Sequence, residues 1–231
     1  MKMSHTNSKS IDVVYEDNHI IAINKESGIL AQGDKTNDKS LIEITKHFLK
    51  KKYNKPGNVF VGLPHRIDRP VSGLIILSKT SKSLSRMSEL FREKKIEKIY
   101  WAIVKNKLEK KSGKLIHFLK KNKKQNKSYV SEVKKKDYQR SELHYNFLKK
   151  LKNYYLYEIK LITGRHHQIR TQLAYIKSPI KGDLKYGAKR SNKYGGICLH
   201  SRKISFIHPI KKETISLQAP LPKKDLWVHC K

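Results

Sequence analysis

Four consecutive apolar residues, Leu74-Ile75-Ile76-Leu77, follow a loop punctuated by Pro70 and Gly73. A run so short and so apolar, bounded in this way, reads as a strand buried on both faces. The loop feeding it is His65-Arg66-Ile67-Asp68-Arg69-Pro70-Val71-Ser72-Gly73. It sets a single carboxylate, Asp68, between two guanidinium groups. An adjacent positive charge favours the ionised carboxylate, and a fixed, ionised carboxylate is what nucleophilic or general-base chemistry needs. A structural loop ion pair is the plainer alternative.

Around this centre the chain reads as α+β with a largely antiparallel sheet. Residues 12–16 and 19–24 form a strand pair turned at Asp17-Asn18. Ser40 and Glu43 have capping-box spacing, and Leu41, Ile44, Phe48 and Leu49 recur at helical intervals behind them. Residues 59–63 read as a strand. Leu84, Met87, Leu90 and Phe91 mark a second helix whose stripe is core. Residues 99–104, 141–149, 154–162, 197–207 and 214–217 read as further strands, and Gly164 precedes a helix that runs to about Tyr175. Strands dominate without a regular βαβα alternation. Residues 1–10 are polar and expected to fray. Residues 11–231 form one domain, and the Lys-dense stretch 105–136, with strand-like pieces at 114–119 and 129–133, reads as a hairpin arm or insertion.

The 231 residues carry 52 Lys+Arg against 19 Asp+Glu, a formal net charge of +33. The charge comes in runs, among them Lys120-Lys121, Lys123-Lys124 and Lys134-Lys135-Lys136, and such a field attracts polyanions. Twelve Tyr, two Trp and six Phe offer rings on which bases can stack, although most serve the core. Two Cys far apart exclude a disulfide framework and a Cys-based metal site. The adjacent His166-His167 lacks the spacing of a helical zinc pair. No apolar leader or membrane-length run is present, so a soluble, cytoplasmic protein is expected. Only nine residues are Arg, yet four of them, Arg66, Arg69, Arg165 and Arg170, fall in two short segments. Arg is kept there for its rigid planar fork, which can grip a carboxylate or phosphate through two hydrogen bonds.

The second of those segments is Thr163-Gly164-Arg165-His166-His167-Gln168-Ile169-Arg170, at a strand-to-helix junction. A helix start offers free N–H groups and the positive end of the dipole. Its anion is a phosphate, or the carboxylate of Asp68 brought there by the fold; a capped, solvated helix end is the plainer reading. Tyr100 opens an alternating strand after Lys98, a position where an aromatic ring is more often core. Gly182-Asp183 and Tyr186-Gly187 form a loop to which no chemistry is assigned.

These segments together resemble the RluA-type RNA pseudouridine synthases, over about 200 residues. The His65-Arg66-Ile67-Asp68 stretch through Gly73 is similar to the signature loop of that family, and Asp68 falls on its catalytic aspartate. Thr163 through Arg170 is similar to a second motif, where Arg165 falls on the basic residue that pairs with the aspartate. Tyr100 falls on the tyrosine that stacks on the target base, and Arg66 on the arginine that helps displace the flipped nucleotide. Gly182-Asp183 to Tyr186-Gly187, Leu199-His200 and residues 206–209 resemble further family segments. Ile67, Val71 and the Lys25-Glu26 pair depart from the usual Leu, Thr and Lys-Pro. An S4 RNA-binding domain, frequent in the family, is not expected here.

The resemblance implies a pseudouridine synthase fold: a largely antiparallel mixed sheet flanked by helices and loops, with the active-site cleft in its middle. It implies an isomerase that breaks the N1–C1′ bond of a uridine in RNA, turns the uracil and rejoins C5 to C1′, with no cofactor and no metal. Asp68, Arg165 and Tyr100 are the catalytic candidates. His65, Arg66, Arg69, His167, Gln168 and Arg170, with Lys120, Lys121, Lys123 and Lys124, are the candidate RNA contacts. Ribosomal RNA is the expected substrate, transfer RNA the alternative, and a monomer the expected state. A non-catalytic RNA-binding or ribosome-assembly protein accounts for the charge, but not for the Arg clustered at Asp68 and Gly164. A metal-dependent nuclease would want more acids near the motifs.

Overall fold

The computed structural model describes residues 11–34, 36 and 38–230; the segment 1–10 lies outside them. Strands β1 (Val13–Glu16) and β2 (Ile20–Lys25) form the expected antiparallel hairpin. The Asp17 carboxylate closes the turn by accepting the N–H groups of His19 and Ile20. Helix α1 (Leu41–Lys52) starts in the capping box foreseen for it: Ser40 Oγ accepts the Glu43 N–H while the Glu43 carboxylate accepts the Ser40 N–H.

Strand β3 (Ser72–Ser78) is buried at all seven positions. Leu74 and Ile76 face one apolar cluster with Met87, Ile204 and Phe206. Ile75 and Leu77 face another with Ile23, Leu41 and Leu49. Each of these four side chains contributes about 1.5–3 kcal/mol by leaving water. Helix α2 (Ser81–Arg92) follows, and then β4 (Glu97–Val104), β5 (Ser112–Asn122), β6 (Lys127–Ser131), β7 (Gln139–Leu151), β8 (Tyr154–Leu161), α3 (Gln168–Tyr175), β9 (Leu199–Ile207) and β10 (Thr214–Gln218).

The strands join in one sheet ordered β1-β2-β3-β9-β4-β8-β7-β5-β6, with β10 on β9. Among the described strands every pairing is antiparallel except β3 with β9, which touch in parallel only at Ser72 with His200 and Gly73 with Ser201. At that seam Gly73 has φ +107° and a Cβ there would lie 2.3 Å from Ser201 O. Only glycine lets the two backbones meet so closely.

Residues 59–63 are not the strand their composition suggested. A lone bridge joins Gly62 to Ser78, and Pro64, which has no N–H to donate, ends the approach. The next hydrogen bond along that edge of β3 comes from a side chain, His65 Nε2, which accepts the Ile76 N–H at 2.9 Å. The Lys-dense stretch is also more than an arm. β5 pairs with β7 at eight positions and carries β6 outside it, so the hairpin continues the sheet to its far edge. Among the described residues no helix is long and apolar enough to cross a membrane.

Candidate active site

The seam between β3 and β9 is where the carboxylate loop enters. Ile67 and Val71, on either side of Asp68, are buried in the largest core cluster and pin the loop. From behind, Lys25 is almost wholly enclosed, and its ammonium donates to the carbonyls of Glu26, Ile29 and Arg69. Burial pulls its pKa down to about 7, against the pull of Asp68. Between these anchors the Asp68 side chain keeps 28% of its surface open.

The partner of that carboxylate is Arg170, whose Nη1 donates to Asp68 Oδ2 at 2.9 Å. The other edge of the guanidinium is held in a fork by the buried Asp183, with Nε to Oδ2 at 2.7 Å and Nη2 to Oδ1 at 2.9 Å. Those hydrogen bonds and charges raise the Arg170 pKa despite its burial. The Tyr186 ring lies 5.0 Å from the guanidinium carbon. An Arg in this setting has no freedom to turn away from Asp68.

This corrects the expectation that Arg165 pairs with Asp68. Helix α3 starts at Gln168, three residues later than the Gly164 junction suggested. Residues 163–167 form a turn stitched by the Gln168 side chain, whose Oε1 accepts from Thr163 Oγ1 and from the Arg165 N–H. Arg165 then points toward β7, where its Nε donates to Arg140 O. The late start puts Arg170 in the first turn of the helix, facing the loop.

Asp68, Arg170 and Tyr100 line one cavity of about 460 Å³, shared with Arg66, Lys98 and Arg165. The register explains the position of Tyr100. It pairs with Ser201, which on its other side pairs with Gly73, so three strands align Tyr100 with the end of the carboxylate loop. Next to this pairing β9 carries one extra residue, Arg202, opposite the step from Ile99 to Tyr100, a bulge of the kind that re-aims a side chain. Burial raises the Tyr100 hydroxyl to about 12, so it stays a neutral phenol. Arg66 is exposed at the cavity. Burial and neighbouring Lys94 lower the pKa of Lys98.

Other expected contacts are placed differently. Arg69 leaves the cavity, donating to Gly28 O and pairing with Asp38 at 2.6 Å. His65 lines the cavity but its Nε2 is spent on β3, its ring stacks on Phe91 at 4.2 Å, and burial lowers its pKa to about 3. Gln168 is a buried strut. His167 belongs at the carboxylate, with Nε2 3.5 Å from Asp68 Oδ2. Lys120 pairs with Asp137 at 3.2 Å, while Lys121, Lys123 and Lys124 are exposed on the hairpin. Lys121 is close enough for its charge to lower the pKa of His166 and His167. Asp183, Tyr186, Lys25 and Lys98 belong to the site without having been singled out for it. Asp183 had left a signal, as a rare acid just downstream of the Arg-bearing helix. Among the described residues no cluster of three or more His, Cys, Asp or Glu is placed to hold a metal ion.

The sequence pattern of the family described as RNA pseudouridylate synthase matches residues 19–175. A protein of Buchnera aphidicola subsp. Acyrthosiphon pisum (strain APS), named ribosomal large subunit pseudouridine synthase C, is 35% identical over 226 residues, which cover 95% of this chain and 70% of that relative. A protein of the same name from Buchnera aphidicola subsp. Baizongia pistaciae (strain Bp) is 35% identical over 216 residues, covering 90% and 66%. The chain thus spans about two thirds of the length of these curated relatives. The solved structure of human RNA pseudouridylate synthase domain containing 4 superposes with a TM-score of 0.80 over 94% of this chain and 90% of that one, at 22% identity. That likeness bears on the fold.

Proposed function

The chain belongs to the RNA pseudouridylate synthase family, and from that premise we propose that it isomerises uridine to pseudouridine in ribosomal RNA, with Asp68 as the group that acts on the flipped nucleoside. The observation that carries this reading is the hydrogen bond from Arg170 to Asp68 at 2.9 Å, on the wall of a cavity that Tyr100 also lines. Isomerisation transfers nothing to or from the nucleoside. The site therefore has to supply a charge at the sugar or base, a surface that retains the detached uracil, and exclusion of water.

Asp68 supplies the charge, as nucleophile or base, and Arg170 aims it. The ring of Tyr100 is the surface on which uracil stays stacked while its bond to the sugar is broken. Taking the nucleotide out of its helix costs a few kcal/mol. In this reading Arg66, exposed at the cavity, fills the gap it leaves. Lys121, Lys123 and Lys124, exposed on the hairpin, and Arg92 and Lys94, exposed at the cavity, offer cations for the flanking phosphates. The names of the relatives support a ribosomal substrate. A ribosomal substrate implies a cytoplasmic enzyme, and a monomer suffices because every proposed group comes from one chain.

Incubating the protein with uridine-labelled ribosomal RNA, without added metal, and mapping the product tests the proposal. Pseudouridine at discrete positions with intact strands is the expected outcome. Strand breaks, or tight binding with no isomerised uridine, would reject it.

A further inference from the structure

Asp68 has a second neighbour. The His167 side chain is 7% exposed, and burial, reinforced by Arg170, His166, Lys185 and Lys121, holds its pKa down at about 2. It is therefore a neutral imidazole with one N–H, and which nitrogen carries it depends on what the other nitrogen meets. Nδ1 lies 2.9 Å from the Tyr186 hydroxyl. That hydroxyl accepts the Ser128 N–H at 2.8 Å, and the neighbouring Thr171 hydroxyl gives its own proton to His167 O, so the Tyr186 proton is available to His167 Nδ1.

We infer that Tyr186 donates its hydroxyl proton to His167 Nδ1, fixing the imidazole N–H on Nε2 and pointing it at Asp68, so that His167 and Tyr186 act as positioning residues for the carboxylate. This rests on Asp68 being the reacting group. Two further observations point the same way. His167 is held in the left-handed region, at φ +54°, where a non-glycine residue is strained and persists because its surroundings impose it. The Tyr186 ring also lies over the Arg170 guanidinium, so one side chain steadies both neighbours of Asp68.

The anchor of this relay is on the Lys-rich hairpin. Ser128 belongs to β6, and its Oγ lies 2.8 Å from His166 Nδ1. Lys185, beside Tyr186, donates to Asn126 O in the hairpin turn at 3.2 Å. The element that presents cations to RNA is thereby hydrogen-bonded to the residues that orient the carboxylate.

Steady-state kinetics on the full chain, with RNA affinity measured separately, test the relay. For Tyr186→Phe, kcat is expected to fall about tenfold, the size of one lost hydrogen bond, while the RNA dissociation constant stays within about twofold. A second pair separates orientation from folding. Asn suits the left-handed backbone at 167 better than Gln does, but only Gln places an amide N–H where imidazole Nε2 stood. His167→Gln is therefore expected to retain several-fold more kcat than His167→Asn. A Tyr186→Phe protein with kcat within about twofold of the parent, or His167→Asn equalling or surpassing His167→Gln, overturns the inference. A parent chain that forms no pseudouridine overturns the functional reading beneath it as well.

Discussion

Arg170 is the residue on which the site turns, because it bridges Asp68 to the buried Asp183. Arg170→Lys replaces a fork with a point charge and cannot serve both carboxylates. We expect kcat to fall at least about a hundredfold, the scale of one lost preorganised donor. We also expect a stability loss of about 2–3 kcal/mol, because Asp183 loses its fork while buried. Arg165→Lys, by contrast, should leave kcat within about threefold, since that guanidinium bonds a backbone carbonyl outside the pair. Parallel kinetics and urea melts check both, and a reversed order of the two variants would reassign the carboxylate's partner. The sequence singled out Asp68 and the two Arg-bearing segments, which the fold brings to one cavity, but it could not rank Arg165 against Arg170. Which Arg faces the loop depends on a helix start set by the Gln168 side chain. Asp183 shows the same limit: it stands out as a rare acid, but its partner lies on another element and no local pattern pairs the two.

At the scale of elements, the seam between β3 and β9 and the β5–β6 hairpin carry separate consequences. Gly73→Ala puts a methyl group into Ser201 O at a backbone angle that disfavours it. It should cost about 3 kcal/mol or more in a thermal or urea melt, whereas a loss below about 1 kcal/mol would mean the strands part easily. On the hairpin, Lys→Gln changes at 121, 123 and 124 should weaken RNA binding. They should also flatten its logarithmic salt dependence by about 0.7–0.9 for each phosphate no longer neutralised. An unchanged slope would turn that face away from RNA. Most elements could be placed beforehand because their signals are local: the capping box at Ser40, the stripe of α2, the apolar run of β3. The strand expected at 59–63 shrank to one bridge because Gly62 already faces Ser78, the last residue of β3, and beyond Pro64 an imidazole takes the next N–H. The hairpin was read as an appendage because its pairing with β7 is a long-range choice that Lys-rich alternation does not reveal.

At the scale of the whole molecule, the fold keeps imidazoles neutral in several places. Burial lowers the pKa of His65 and His200 to about 3, His166 to about 4 and His167 to about 2. The unfolded chain binds protons at these residues below about pH 6.5 while the folded one does not. Their contribution is thus fully present above about pH 6.5 and is lost progressively as pH falls toward about 3. The net charge of +33 adds self-repulsion. Urea midpoints should decline from about pH 6.5 downward, before the carboxylate range is reached; a midpoint flat to about pH 4.5 would contradict these burial assignments. The same fold brings residues 68 and 170 together from distant parts of the chain, and catalysis requires that meeting to be chemical and not only structural. Asp68→Asn tests it most directly, because it keeps the shape and removes the charge. Measured side by side, RNA affinity should stay within about threefold of the parent while pseudouridine formation disappears; turnover near the parent's rate would contradict the assignment of Asp68.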